Sequence, residues 1–318
     1  MTHAARLRLF ALVGPTGVGK TAVAVRLARQ VAIEVVSADS RQVYRGMDIA
    51  TGKPTAEERA AVRHHLLDVV DPDQRYHAAR FRAEALAAIA AIHARGRLPV
   101  LVGGTGLYVR ALLKGLAPAP PADPALRAEL ESFAAVHGAP ALHGRLAAVA
   151  PSVARRLHPN DRVRVVRALE VHARSGGATQ DTGVGDWAAA PCAWRLVMIG
   201  LTRERAALNA AIAERAQAMV ARGMMEEVRR LLDAGYHPER PPMDGIGYRQ
   251  LAQVLAGRMT EPDALRLMVR DTTRYAKRQM TWFARDPEIR WLDVDAAGGV
   301  EGTAEAVHKH LTQEGLIE

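Results

Sequence analysis

The stretch that decides the fold is "LVGPTGVGKTAVAV", Leu12–Val25. Its centre, Gly14-Pro15-Thr16-Gly17-Val18-Gly19-Lys20-Thr21, matches G-x-x-x-x-G-K-[ST] at every position. An apolar run, Leu9 to Val13, precedes it and predicts a buried strand. Ala22, Val23, Val25, Leu27 and Ala28 follow at helical spacing. Strand, glycine loop and helix form the context in which this motif grips phosphates. Glycines at 14, 17 and 19 let backbone N–H groups converge on an anion, and the helix N-terminus adds the positive end of its dipole. Lys20 supplies a point charge to the terminal phosphate, and Thr21 is placed to ligate a Mg²⁺ that bridges phosphate oxygens. The motif alone does not say whether those phosphates are hydrolysed, transferred or discarded.

Outward from the loop, Ile33 to Ser37 predicts a short buried strand that runs into "ADSRQVYRGMDIATGKP". An amphipathic segment, His77 to Arg95, stops at Gly96. Leu98 to Val102 predicts another strand, followed by a turn at Gly103-Gly104 and a helix. This βαβ rhythm implies a parallel sheet flanked by helices, with ligands outside the carboxyl ends of the strands. The phosphate loop, Asp39 and Thr105 each follow a predicted strand, so they should share one crevice. "GLAPAPPADP", Gly115 to Pro124, is a proline-rich boundary. Beyond it the pattern is helical to about Ser175, with Asn160 or Asp161 as cap of the last helix and Gly176 or Gly177 as its stop. "GGATQDTGVGDWAAAP" is expected to be a flexible return, and Trp194 to Leu201 to resume the sheet. Helices follow over Arg203 to Ala221, Met224 to Ala234, Tyr248 to Leu255 and Pro262 to Ala284, then the short strand "IRWLDV" and a final helix. The expected fold is α/β, a P-loop NTPase-like parallel sheet flanked by helices. Residues 1–117 and 193–318 would form its core, and 118–192 a mainly helical insertion domain.

The 318 residues are 49% apolar and 24% charged, the balance of a soluble globular protein. No apolar run approaches the roughly 18 residues of a membrane span. The start "MTHAARLRLFALVG" is basic then apolar, but its apolar part is too short for a signal peptide and runs into the phosphate loop. A single cysteine, Cys192, excludes an internal disulfide and a cysteine-based zinc site, and fits a reducing cytoplasm. Net charge is +9, with a pI of about 10.2. Arginine far outnumbers lysine, which fits the codon habits of a GC-rich genome, but that habit does not explain the surplus over acids. A polyanionic partner such as nucleic acid does.

Three roles are open to Asp39 from its position: ligating Mg²⁺ through water, acting as a general base, or capping a turn with Ser40. Gly103-Gly104-Thr105-Gly106 is a second glycine turn with a hydroxyl near the crevice. A kinase or ATPase of this architecture often carries an Asp after such a strand, and the glycine here weakens that reading. His64-His65 resembles a metal pair, but adjacent side chains diverge, which favours a structural role. Met219, Met224 and Met225 are simplest as core fillers. Two basic stretches stand out: Arg155, Arg156, Arg162, Arg164 and Arg167, and then Arg270, Arg274, Lys277, Arg278 and Arg285 beside Tyr275, Trp282 and Phe283. Their spacing groups several charges on one helix face, which is either a solvated face or one that makes phosphate-backbone contacts.

With these residues in view, the chain resembles the bacterial tRNA dimethylallyltransferases, the isopentenyl-diphosphate:tRNA transferase family. The resemblance rests on "GPTGVGKT", "SADSRQVYRGMDIATGKPT", "HHLLDVVDP", "LVGGTGLYVRALLKGL", "LHPNDRVRVVRALEV", "DGIGYRQL" and "AKRQMTWFARD", in that order along nearly the whole chain. The departures are mild: Gly17-Val18 where Ala-Ser is frequent, and Gly106 after Gly-Gly-Thr. The resemblance implies that the gripped phosphates are the diphosphate of dimethylallyl diphosphate, released as pyrophosphate with Mg²⁺ as cofactor. The prenyl group would move to N6 of the adenosine immediately 3′ of the anticodon, in tRNAs reading codons that start with U. It implies Asp39 as general base and Thr105 at the reacting end. Ser40, Arg41 and Gln42 would meet the target nucleotide. Arg127, Val163, Arg164, Val165, Val166 and Arg167 would contact tRNA, as would Asp244, Gly245, Ile246, Gly247, Tyr248 and Arg249. The insertion would clasp the anticodon stem of a tRNA bound by a cytoplasmic monomer. Two rivals are a P-loop small-molecule or nucleotide kinase, which predicts ATP turnover, and a nucleotide-regulated RNA-binding module, which needs no base.

Overall fold

The structure is a computed structural model of the chain, and it describes residues 7–116, 118–177 and 194–318. The apolar run before the phosphate loop forms β1 (Arg8–Val13), and Lys20 opens α1 (Lys20–Leu27). There follow β2 (Ile33–Ser37), α2 (Ala56–Ala61), β3 (His64–His65), α3 (Ala78–Ala94), β4 (Leu98–Gly103) and α4 (Gly106–Lys114). The helical stretch holds α5 (Pro124–His137), α6 (Ala139–Val149), α7 (Pro151–Ala154) and α8 (Arg162–Arg174). The chain then returns through β5 (Arg195–Thr202), α9 (Arg205–Ala221), α10 (Met224–Asp233), α11 (Tyr248–Leu255), α12 (Glu261–Phe283), β6 (Arg290–Asp293) and α13 (Gly299–Gln313).

The six strands form one sheet in the order β3-β2-β4-β1-β5-β6, with every neighbouring pair parallel. The fold is thus the expected P-loop NTPase-like α/β sheet flanked by helices. Both faces are covered, so the central strands are apolar throughout instead of alternating. Phe10 and Leu12 of β1 pack with Val23 and Leu27 of α1 and with Val307 and Leu311 of α13. Leu9, Ala11 and Val13 of the same strand pack on the other face with Phe81 and Ile89 of α3 and Leu112 of α4. Phe81 also stacks on Tyr108, with ring centroids 4.4 Å apart and an interplanar angle of 15°.

A third cluster joins Val43, Tyr44 and Met47, from the loop after β2, to Met219, Met224, Val228, Tyr248, Leu251 and Met268 of α9 to α12. The expected core role of Met219 and Met224 follows from it. This cluster seats the loop that begins at Asp39.

Two compact units result, Met1–Gly115 with Ala190–Glu318, and Leu116–Ala189. The second has its own core, with Leu130, Leu142, Leu146, Val165 and Val166 among its buried members. Its α8 is capped by Asp161, whose side chain accepts from the Arg164 amide, and ends at Ser175. Cys192 and most of the expected return over residues 176–191 lie outside the described residues, as does the expected boundary at 192–193.

Two elements had no counterpart in the sequence reading. One is α2, although Thr55 and Glu58 form a complete capping box there. The other is β3, whose two residues are too few to show a period. His65 Nε2 lies 2.6 Å from a carboxylate oxygen of the buried Glu34, and His64 Nδ1 lies 2.8 Å from the Val62 carbonyl. The histidine pair therefore diverges into two separate structural contacts.

Candidate active site

The register places Val13 beside Gly103 on one side and Gly200 on the other. The phosphate loop, the 38–42 loop and the Gly104-Thr105 turn therefore leave the sheet side by side. Gly103 is required there, because a Cβ on it would stand 2.2 Å from the Ala38 carbonyl oxygen. The acidic residue that a phosphoryl-transfer enzyme places after this strand does not fit.

Two cavities open around these loops. The smaller, of about 340 Å³, is lined by Gly17, Gly19, Lys20 and Thr21 of the phosphate loop, and also by Gln42 and Lys53. The larger, of about 710 Å³, is lined by Ser40 and Arg41, by Asp244, Gly245, Ile246, Tyr248 and Arg249, and by Arg270, Arg274, Tyr275 and Arg278. Six residues line both: Thr16, Gly17, Asp39, Thr51, Arg215 and Met219.

Asp39 is half-buried at that junction. Its Oδ1 accepts from the amides of Arg41 (2.8 Å) and Gln42 (3.3 Å). The turn-capping role and the crevice position thus coexist: the two amides fix the carboxylate while it faces both cavities. Thr105 precedes α4 but makes no side-chain cap bond there. Its hydroxyl instead accepts from the Ser40 amide at 3.0 Å, tying the Gly104-Thr105 turn to the Asp39 loop.

Lys20 Nζ donates to the carbonyls of Gly14 (3.0 Å) and Pro15 (2.7 Å). Burial pulls its pKa down to about 7, Asp39 opposes that shift and Arg215 reinforces it. Burial and the Asp39 charge push Tyr275 up to about 12, so its phenol stays neutral beside the carboxylate.

Two further residues, to which the sequence assigns no role, complete the surroundings. Arg215 of α9 donates to the Thr16 hydroxyl at 3.3 Å. Room for it comes from Gly52, with φ +60°, where a Cβ would stand 1.7 Å from the guanidinium. Gln279 of α12, 6% exposed, accepts from the Thr16 amide at 2.8 Å and donates to the Gly104 carbonyl at 2.9 Å. It straps the phosphate loop to the second glycine turn. Gln279 lies inside "AKRQMTWFARD", which signalled its importance without a role, whereas nothing in the helical run around Arg215 marked it.

The expected RNA-contact residues divide. Asp39, Ser40, Arg41 and the 244–249 stretch gather around the larger cavity, with Arg41 donating to the Pro242 carbonyl (2.9 Å) and Asp244 (3.2 Å). Gly247 sits behind them as the N-cap of α11. In the helical unit, Val163 is 76% exposed, whereas Val165 and Val166 are buried. The side chains of Val165 and Val166 form part of that unit's core, so tRNA contact at these two positions would fall to the backbone. Arg127 and Arg167 both pair with the buried Glu170.

The family model described as IPP transferase matches residues 42–286. The chain belongs to the IPP transferase family. As a member it is similar to the tRNA dimethylallyltransferase of Geobacter sulfurreducens, at 49% identity over 92% of this chain and 93% of that protein. The tRNA dimethylallyltransferase of Thermomicrobium roseum is 47% identical, over 97% and 93%. Among solved structures, the full-length tRNA isopentenylpyrophosphate transferase of Bacillus halodurans has a TM-score of 0.68 at 40% identity, over 96% of this chain and 97% of that one. A eukaryotic dimethylallyltransferase acting on tRNA has a TM-score of 0.75 at 25% identity, over 96% and 78%. For this IPP transferase, the arrangement offers an anion cradle, a second cavity edged by arginines, and a fixed carboxylate between them.

Proposed function

We propose that this chain is a tRNA dimethylallyltransferase that joins dimethylallyl diphosphate to N6 of the adenosine immediately 3′ of the anticodon, in tRNAs reading codons that start with U. The observation that carries this reading is the position of Asp39, on the boundary between the phosphate-loop cavity and the arginine-edged one. The diphosphate lies in the smaller cavity, against the amides of Gly17, Gly19, Lys20 and Thr21 and the side chains of Lys20 and Arg215. The adenosine enters the larger one, and to reach it the base leaves the anticodon-loop stack.

The reaction forms a bond between N6 and the allylic C1 as the C1–O bond to the diphosphate breaks. The electron pair of that bond departs with pyrophosphate, so negative charge grows on the leaving oxygen. Lys20 and Arg215 line the smaller cavity and, with the loop amides, would stabilise that charge. An exocyclic amine is a weak nucleophile, and Asp39 takes its proton as the new bond forms. The Arg41 and Gln42 amides hold the carboxylate for this, and Thr105 fixes the backbone at Ser40.

The donor set fits Mg²⁺. Among the described residues no group of three or more His, Cys, Asp or Glu is placed to hold a metal. Thr21, which lines the smaller cavity, would supply one oxygen to a hard cation whose other ligands would come from the diphosphate and water. When bound there it neutralises charge on the diphosphate oxygens. The basic faces of α8 and α12 contact the anticodon stem-loop of tRNA, through Arg164 and through Arg270, Arg274 and Arg278. The protein works as a monomer in the cytoplasm. Among the described residues no helix is long and apolar enough to cross a membrane.

The test is incubation with labelled dimethylallyl diphosphate, Mg²⁺ and unmodified tRNA, followed by nucleoside analysis. Label in N6-prenyladenosine supports the reading. Phosphate transfer from ATP with unlabelled RNA overturns it in favour of a kinase, and RNA binding without label in favour of a module that does no chemistry.

A further inference from the structure

Glu227 of α10 lies outside every motif read above, and it is 1% exposed. Its Oε2 accepts from the amides of Asp48 (2.9 Å) and Ile49 (2.7 Å). Its Oε1 accepts from the Ala50 amide (3.2 Å) and the Tyr248 hydroxyl (2.6 Å). Three successive amides converging on one point form the kind of nest that binds anions, and here the anion is the protein's own carboxylate.

Its surroundings are apolar: Met47, Met224, Val228 and Tyr248 belong to one buried cluster. A buried charge there costs more than an apolar side chain of similar volume. What it adds is direction, since four donors from two segments must meet two oxygens. One segment is the loop that ends in Ala50 and Thr51, and the other opens α11. Both line the larger cavity. From Thr51 and Gly52 the connection continues, because their carbonyls accept from Gln42 Nε2 (3.4 and 3.1 Å) and the Gln42 amide donates to Asp39.

We propose that Glu227 is a positioning residue that pins the 48–52 loop to the start of α11 and so holds the larger cavity in the shape that accepts the target nucleotide. The proposal rests on the transferase reading for the identity of that nucleotide. It predicts a split between substrates. None of the four donors to Glu227 lines the smaller cavity, although Thr51 and Gly52 beyond them do, so diphosphate binding is disturbed far less than RNA binding.

The test uses Glu227→Gln and Tyr248→Phe in the full chain. In Glu227→Gln, either orientation of the amide sets an N–H₂ against at least one backbone N–H, at Ala50 or at Asp48 and Ile49, breaking part of the clamp. Tyr248→Phe removes only the link to α11. Dissociation constants are measured for an anticodon stem-loop and for pyrophosphate with Mg²⁺, with amide exchange in the ligand-free protein. The expected result is RNA affinity about tenfold lower in Glu227→Gln, pyrophosphate affinity within about twofold of the parent, and faster exchange at residues 48–50. Tyr248→Phe weakens RNA binding in the same direction, and the two changes combine to less than their sum. RNA affinity equal to the parent's in both variants, or an equal fall for RNA and pyrophosphate, overturns the proposal. A parent protein that binds no stem-loop would refute the transferase reading instead. The clamp would then stand or fall on whether exchange at residues 48–50 quickens in Glu227→Gln.

Discussion

At the scale of single residues, the proposed diphosphate grip predicts that Lys20 links proton uptake to binding. Burial holds its free-state pKa near 7, so at pH 8 most molecules carry a neutral amine there. A bound diphosphate favours the charged form and raises that pKa. Binding at pH 8 therefore takes up a proton, and affinity falls as pH rises above about 7. Calorimetry of pyrophosphate in buffers of different ionisation enthalpy measures this directly. Lys20→Arg supplies the baseline, since a guanidinium stays charged throughout. The parent should take up close to one proton more than the variant, and equal uptake would show that Lys20 is already charged. Arg215 was not legible in the sequence for a related reason. Its meaning comes from Gly52 and Thr16, far from it in the chain, and no local pattern encodes that meeting.

At the scale of elements, what was legible had a period or a motif. β1, β2 and β4 were visible as apolar runs, and α11 was expected at the bounds it has. The two-residue β3 has no period at all, and α2 buries no residue, so it has no apolar face to detect. In α8 exposed and buried residues follow one another within a turn. Arg162, Val163 and Arg164 face outward, while Val165 and Val166 on the next part of the turn face the core. Glu170 shows the same point with a charge. Burial raises its pKa, but the hydrogen bonds from Arg127, Arg167 and the Asp123 amide outweigh that and bring it to about 2. Glu34 is brought to about 2 chiefly by its hydrogen bond from Arg95. Both folded values lie below the ordinary 4.5, so the stabilisation is complete above that pH and is lost as pH falls towards 2. Glu170→Gln should destabilise α5 to α8 by about 2 kcal/mol. That is less than the roughly 3–5 of a fully buried pair, because water still reaches both arginines. Urea unfolding followed by amide exchange in those helices checks it, at pH 7 and pH 3. The gap between parent and variant should narrow at pH 3, and a gap independent of pH would contradict the assignment.

At the scale of the whole molecule, a +9 chain carries basic residues in both compact units, and each set belongs to a different part of the proposed RNA contact. Removing one phosphate contact lowers the slope of log affinity against log salt by about one unit at most. Arg274→Ala at the larger cavity and Arg164→Ala on α8 should each flatten that slope for tRNA, and a slope equal to the parent's would exclude that residue from the contact. The central claim, however, concerns the place where the two substrates meet. Asp39 is held there by two amides, and its replacement by Asn keeps the shape and removes the base. The most direct measurement is the single-turnover rate of prenyl transfer by Asp39→Asn, with tRNA affinity measured on the same preparation. The account predicts a loss of roughly 10²-fold or more in rate with tRNA binding retained. A rate equal to the parent's would contradict it.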